Sequence, residues 1–117
     1  FVHVAGAKDV VIEGNSFSGI GHDGAQEIVS CGLDLRQGEK LRVLRNRFRF
    51  WEGAGAARRV EGIRLTPAAR DTVIEANDFQ GTGREHCYAI RAEAAVAPGT
   101  VRKNQVTRAR LDLATNR

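Results

Sequence analysis

The chain contains no methionine, only two cysteines and only one tryptophan. Cys31 and Cys87 form no CxxC pair and have no zinc-type spacing, which excludes a zinc module. Two cysteines are compatible with one disulfide or none, and with either redox compartment. Buried, inert thiols are the expectation. His86 is the neighbour of Cys87, but neighbours in a strand point to opposite faces, so the two do not read as a catalytic pair. No run is long and apolar enough to span a membrane, and no segment has the pattern of a signal peptide. Gly19-x-Gly21 is not followed by a helix and so is no dinucleotide fingerprint. These glycines, and those at 53–55, are expected in tight turns. The chain opens at Phe1 without an initiator methionine, so it is expected to be a segment of a longer protein.

What is abundant is arginine. The net charge is +4 and the isoelectric point about 9.7. A basic surface favours nucleic acid, anionic polysaccharide or an anionic membrane surface. The basic residues are scattered rather than clustered, which also fits a plain solvated surface.

The strongest signal is an internal repeat. Four segments align: Val10–Phe17, Leu41–Phe48, Thr72–Phe79 and Gly99–Val106. Asn recurs at 15, 46, 77 and 104, in steps of 31, 31 and 27. An aliphatic residue lies three before each Asn, and Phe or Val two after it. A second series runs in step: Val2-His3-Val4, Leu33-Asp34-Leu35, Ile63-Arg64-Leu65, Ile90-Arg91-Ala92 and Leu111-Asp112-Leu113. Each is an in-out-in alternation, the mark of a half-buried strand. One such strand cannot bury its apolar face alone. Stacked equivalents can, because they pair in parallel and their side chains pile into columns. The expected columns are Val2/Leu33/Ile63/Ile90, Val4/Leu35/Leu65/Ala92, Ile12/Val43/Ile74/Val101 and Phe17/Phe48/Phe79/Val106. Asn15, Asn46, Asn77 and Asn104 are expected to form a ladder of stacked amides. Each suits a sharp bend, because Asn tolerates the left-handed region. A helical reading fails, because the apolar period is two rather than 3.6. A leucine-rich repeat is shorter and richer in leucine.

Through the Ile12-x-x-Asn15-x-Phe17 units at 12–17, 43–48, 74–79 and 101–106, the sequence resembles the right-handed parallel β-helix superfamily. That superfamily includes pectate lyases, polygalacturonases, alginate epimerases and phage tailspikes. The resemblance covers nearly the whole chain and implies an all-β solenoid of about four coils, roughly 1–31, 32–61, 62–88 and 89–110, with a fifth starting at 111–117. It implies three strands per coil: the series around Asp34, the segment before each Asn, and the segment through each Phe. The loops would be 19–31, 50–61 and 81–88. Neither end carries an evident polar cap, so further coils of a parent chain are expected partners.

The resemblance is specific for fold and not for activity. Outward positions of the first strand form a row of His3, Asp34, Arg64, Arg91 and Asp112, with Ala5, Arg36, Thr66, Glu93 and Ala114 beside it. Layers about 4.8 Å apart would let Asp34 meet Arg64 and Arg91 meet Asp112. This row is either a charge-paired ladder on a solvent face or the floor of a groove that grips an acidic sugar through planar guanidinium forks. Loop residues expected along the same face include His22, Asp23 and Glu27, then Trp51, Glu52, Arg58 and Arg59, then Arg84, Glu85 and His86. Trp51 either stacks on a sugar or closes the core. The candidate substrate-binding residues are Asp34, Arg36, Arg64, Arg91, Trp51, His22, Arg84 and His86.

No pair of carboxylates is marked by spacing for glycoside hydrolysis. No Asp cluster for calcium is evident, and no cofactor is implied. The catalytic residues of a lyase, hydrolase or epimerase parent are not identifiable here. The expected function is a segment of an extracellular or periplasmic protein that binds or processes a polysaccharide, most readily an acidic one. The alternative is a purely structural solenoid of a surface protein, adhesin or phage fibre. Nucleic acid is the weaker partner, because aromatics stacked along a basic groove are missing.

Overall fold

In the computed structural model, residues 2–20, 29–51, 59–97 and 99–113 are described. All regular structure among them is β. The strands are β1 (Val2–Lys8), β2 (Val11–Glu13), β3 (Ser16–Ile20), β4 (Val29–Glu39), β5 (Arg42–Leu44), β6 (Arg47–Phe50), β7 (Arg59–Leu65), β8 (Ala69–Arg70), β9 (Val73–Glu75), β10 (Asp78–Gln80), β11 (Cys87–Ala92), β12 (Val101–Arg102), β13 (Gln105–Thr107) and β14 (Arg110–Asp112). They form three parallel sheets. Sheet A runs β1-β4-β7-β11-β14, with β8 beside β4; sheet B runs β12-β9-β5-β2; sheet C runs β13-β10-β6-β3. The chain therefore visits A, B and C in turn. Each strand pairs with its equivalent one repeat away.

The apolar columns lie where the repeat places them. Leu33 pairs with Val2 and Ile63, and Ile63 with Ile90. Val43 pairs with Ile12 and Ile74. The rings of Phe17 and Phe48 stack at 4.7 Å, and those of Phe48 and Phe79 at 4.6 Å. The core draws on all three sheets: Leu33, Leu35, Ile63 and Ile90 from A, Val43 and Ile74 from B, Phe48 and Phe79 from C. Each of these large side chains contributes about 1.5–3 kcal/mol on burial. The two ends of the stack are less covered: Val2, Val11 and Leu111 are exposed.

The asparagine ladder runs along the corner between sheets B and C. The backbone N–H of Asn15 donates to Asn46 Oδ1, that of Asn46 to Asn77 Oδ1 and that of Asn77 to Asn104 Oδ1, each at 2.9 Å. The Asn46 and Asn77 amides also donate to the Ile12 and Val43 carbonyls, again at 2.9 Å. This satisfies backbone groups that the bend would otherwise leave without partners. The bend itself differs from the expectation. The left-handed residue is the one before each Asn: Gly14 (φ 71°), Arg45 (φ 52°), Ala76 (φ 59°) and Lys103 (φ 56°). Asn contributes its side-chain hydrogen bonds rather than its backbone tolerance. A second left-handed row, Asp9, Lys40, Asp71 and Gly99, marks the corner between sheets A and B.

The segments expected as loops are shorter than the sequence reading made them. β4 begins at Val29, β7 at Arg59 and β11 at Cys87. Residues expected there as loop become extra strand in sheet A, and this extension shapes the outer face.

Candidate functional site: a buried carboxylate beneath three arginines

Strict alternation back from Ile63 and Leu65 would point Glu61 into the core. The strand does not alternate strictly. The ladder pairs Cys31 with Glu61 and resumes at Leu33 with Ile63, passing over Gly32 and Gly62. It passes over Ala89 in the same way between Tyr88 and Ile90. A Cβ on Gly62 would lie 2.6 Å from the Ala89 carbonyl oxygen and 3.1 Å from Phe50 Cζ, so Gly62 faces the interior. Ile63 does too, since it is fully buried in the core cluster. Two successive inward residues break the alternation without shifting the register between the strands, and the break re-aims the side chains that precede it. As a result Glu61 and Arg64 emerge on the same, outer face of sheet A.

Glu61 is completely buried there. Arg64 Nε donates to its Oε1 at 2.8 Å, and Arg64 Nη2 lies 2.8 Å from the same oxygen. Arg91 Nη1 donates to Oε2 at 3.4 Å. Arg59 Nε approaches Oε2 at 3.3 Å without the alignment of a hydrogen bond. Burying a lone carboxylate would cost several kcal/mol, so the guanidiniums are what make this position tenable. Burial works against the charge on Arg64, but hydrogen bonding and attraction to Glu61 outweigh it and hold the guanidinium above its ordinary pKa. Burial first, and then the charge of Glu61, push the Cys31 thiol up to about 12. Cys31 is thus a neutral thiol at physiological pH. Both cysteines are free and buried. Cys31 lies in the outer row with Glu61, while Cys87 is aligned with Val60.

The row His3–Asp34–Arg64–Arg91–Asp112 is in register across five strands, as expected. Its pairing differs from the expectation. Arg64 turns to Glu61, and Asp34 is held instead by Arg36 Nη2 at 3.1 Å and His3 Nδ1 at 3.6 Å. Asp34 is also far more enclosed than an outward position implies, with 1% of its surface exposed. Arg91 does reach Asp112, at 3.8 Å. The second expected row breaks at its start, because the register shift after Val4 pairs Ala5 with Gln37 rather than with Arg36. Ala114 lies outside the described residues.

The other loop candidates divide. Trp51 is half-buried just after β6, and its backbone N–H donates to the Ile20 carbonyl at 2.8 Å. Arg84 and His86 are exposed in the turn before β11, and the His86 carbonyl accepts from Val60 N–H at 3.0 Å. His22, Asp23, Glu27, Glu52 and Arg58 lie outside the described residues. The sequence reading placed Arg59 at the rim and passed over Glu61 and Tyr88. A signal was available: Val60-Glu61-Gly62-Ile63 puts glycine inside a strand pattern, which points to an irregularity or a close backbone approach.

The charge balance of the face is simple. Asp34 and Arg36 neutralise each other. Arg59, Arg64, Arg91 and the exposed Arg110 carry four positive charges against Glu61 and Asp112, which leaves two in excess. Two clefts, of about 270 and 420 Å³, lie instead at the corner between sheets A and B, and both touch Arg70. They share none of the buried charge. The arginine cluster, which combines enclosed charge with convergent donors, is the stronger candidate. Among the described residues no group of three His, Cys, Asp or Glu side chains is placed to hold a metal ion. Comparison with known families, with curated proteins and with solved structures gave no match.

Proposed function

We propose that the three sheets are the walls of a right-handed parallel β-helix whose sheet A face binds an acidic polysaccharide, in an extracellular or periplasmic setting. The right hand follows from the general handedness of parallel crossovers. The carrying observation is the convergence of Arg59, Arg64 and Arg91 on one buried carboxylate. Glu61 uses two oxygens, whereas each guanidinium has five N–H donors in a rigid plane. Donors are therefore left over, held in a fixed fork suited to carboxylate. Arg64 and Arg91 stand on adjacent layers, so an extended polyanion along the stack meets a guanidinium at each of these two layers. The raised pKa of Arg64 makes it a poor proton acceptor, which favours binding over proton abstraction by this residue.

A structural solenoid is the second reading. It is favoured by the pairing of charges between layers on the other walls: Arg49 with Asp78 at 3.3 Å, Arg102 with Glu75 at 2.5 Å, and Arg45 with Glu13. Calorimetric titration with an oligomeric uronate at low salt decides between them. Wild type is expected to bind, and Arg91→Gln to lose about tenfold, the size of one charge-assisted contact. Absence of binding by the folded wild type would leave the structural reading.

A further inference from the structure

We infer that Tyr88 is the specificity-determining residue of the sheet A face, the platform on which a ring of the bound molecule lies. This rests on the reading of that face as an acidic-glycan site. Tyr88 is the only tyrosine in the chain and stands on β11 as the ladder partner of Glu61. Arg91 is in turn the partner of Arg64. Tyr88 therefore stands to Arg91 as Glu61 stands to Arg64, with the same irregularity between them, at Ala89 in place of Gly62. In the Glu61 layer that geometry brings a side chain within 2.8 Å of the guanidinium, and Glu61 also reaches across to Arg91 at 3.4 Å. The phenol ring thus rises from the outer face immediately beside the arginine cluster. On its far side its ladder partner is Arg110, which is exposed.

The ring is uncommitted. It is half-buried, and among the described residues it makes no hydrogen bond, ring contact or ion pair. The other aromatics of the repeat behave differently: Phe17, Phe48 and Phe79 are stacked on one another in sheet C. A tyrosine presents a large apolar face at little conformational cost and carries a polar edge. Next to planar donors it suits a molecule that combines an apolar ring face with an acid group. A uronic acid in its ring form has that combination. A bare anion uses the arginines alone, and a neutral sugar uses the ring alone.

Three ligands and three proteins test this. The ligands are a hexauronate, the same hexamer with its carboxyls reduced, and inorganic sulfate. The proteins are wild type, Tyr88→Phe and Tyr88→Leu, each checked for an unchanged melting curve. Tyr88→Leu is expected to weaken hexauronate about tenfold and to abolish the weaker binding of the reduced hexamer, while sulfate is unchanged. Tyr88→Phe is expected to stay within about twofold of wild type. Equal affinity of Tyr88→Leu and wild type for hexauronate overturns the inference. So does a loss in Tyr88→Phe as large as that in Tyr88→Leu, which would make the hydroxyl rather than the ring the contact. In the wild type, sugar ring protons should shift upfield in the NMR spectrum on binding; unshifted protons on a bound hexauronate overturn the platform without recourse to a variant. If wild type binds none of the three ligands, the glycan reading itself fails, a result separate from all of these.

Discussion

The corner between sheets B and C and the outer face of sheet A belong to the same repeat but follow it differently. At the corner, each layer copies the one beside it: Asn on Asn, a left-handed residue before every Asn, and Phe on Phe until Val106 takes the last layer. On the face of sheet A, the same row holds Cys31, Glu61, Tyr88 and Arg110 in successive layers. The corner must satisfy backbone groups that every layer shares, so one residue type serves throughout. The outer face has no such common demand, and its residues are free to differ from layer to layer. Repetition marks what holds the stack together, and departure from repetition marks where a particular chemistry has been built.

Deletions should separate the two regions. The largest effect is expected from Asn77→Ala. It leaves the Asn46 N–H and the Val43 carbonyl buried without partners, at about 1–3 kcal/mol each, so chemical denaturation should show a loss of about 4 kcal/mol. A double-mutant cycle with Asn46→Ala should show strong coupling, because the two amides share a hydrogen bond of 3.0 Å. Additive losses would mean that the ladder is a row of independent caps.

Glu61→Ala is expected to cost about 3 kcal/mol, because three guanidiniums lose their shared acceptor. Exchange for an apolar residue together with Arg64→Leu should recover much of this, since a buried ion pair is often replaceable by packing. No ladder variant should be rescued in this way. Recovery by an apolar pair at the ladder, or none at Glu61, would erase the distinction between the two regions.

A smaller effect concerns pH. The Cys31 thiol is raised from 9.0 to about 12 in the folded chain. The sign follows from linkage: the native state holds this proton more tightly than the unfolded chain does. The stability it contributes is intact below about pH 9 and declines as the pH rises toward 12. Melting temperatures of wild type and Cys31→Ala should therefore converge across that window. Parallel curves would show that burial does not raise the thiol.

The smallest effect is a gain. Ala76 holds φ 59°, a conformation costing an L-residue about 1 kcal/mol, which glycine avoids. Ala76→Gly should raise stability by about that amount at the corner, as Gly14 already illustrates. An unchanged or lowered midpoint in denaturant would place the advantage of alanine in the unfolded chain.

Much of the corner was legible in the sequence. Asn15, Asn46, Asn77 and Asn104 fix the layer spacing, and the alternation in Leu33-Asp34-Leu35 and Ile63-Arg64-Leu65 gives both the apolar columns and the outward row. Which residue takes the left-handed turn was less legible, because Gly14, Arg45, Ala76 and Lys103 share no chemical type. The site was half legible. Arg64 and Arg91 are outward on simple alternation, and so they are. Glu61 is not, because alternation holds only up to Gly62. Arg64 was expected to meet the carboxylate in the next layer, but a buried carboxylate three residues back takes it, while Asp34 is held by Arg36 and His3.

The doubled inward step at Gly62 and Ile63 acts on strand parity much as a one-base insertion acts on a reading frame. Upstream of it, odd-numbered residues of the strand face outward; downstream, they face the core. A change of frame in register across Gly32, Gly62 and Ala89 divides sheet A into two panels under separate rules. A substitution scan of this sheet should therefore yield two opposite patterns of tolerance that meet at residue 62, and deleting Gly62 would restore plain alternation through the strand with Glu61 still on the outer face.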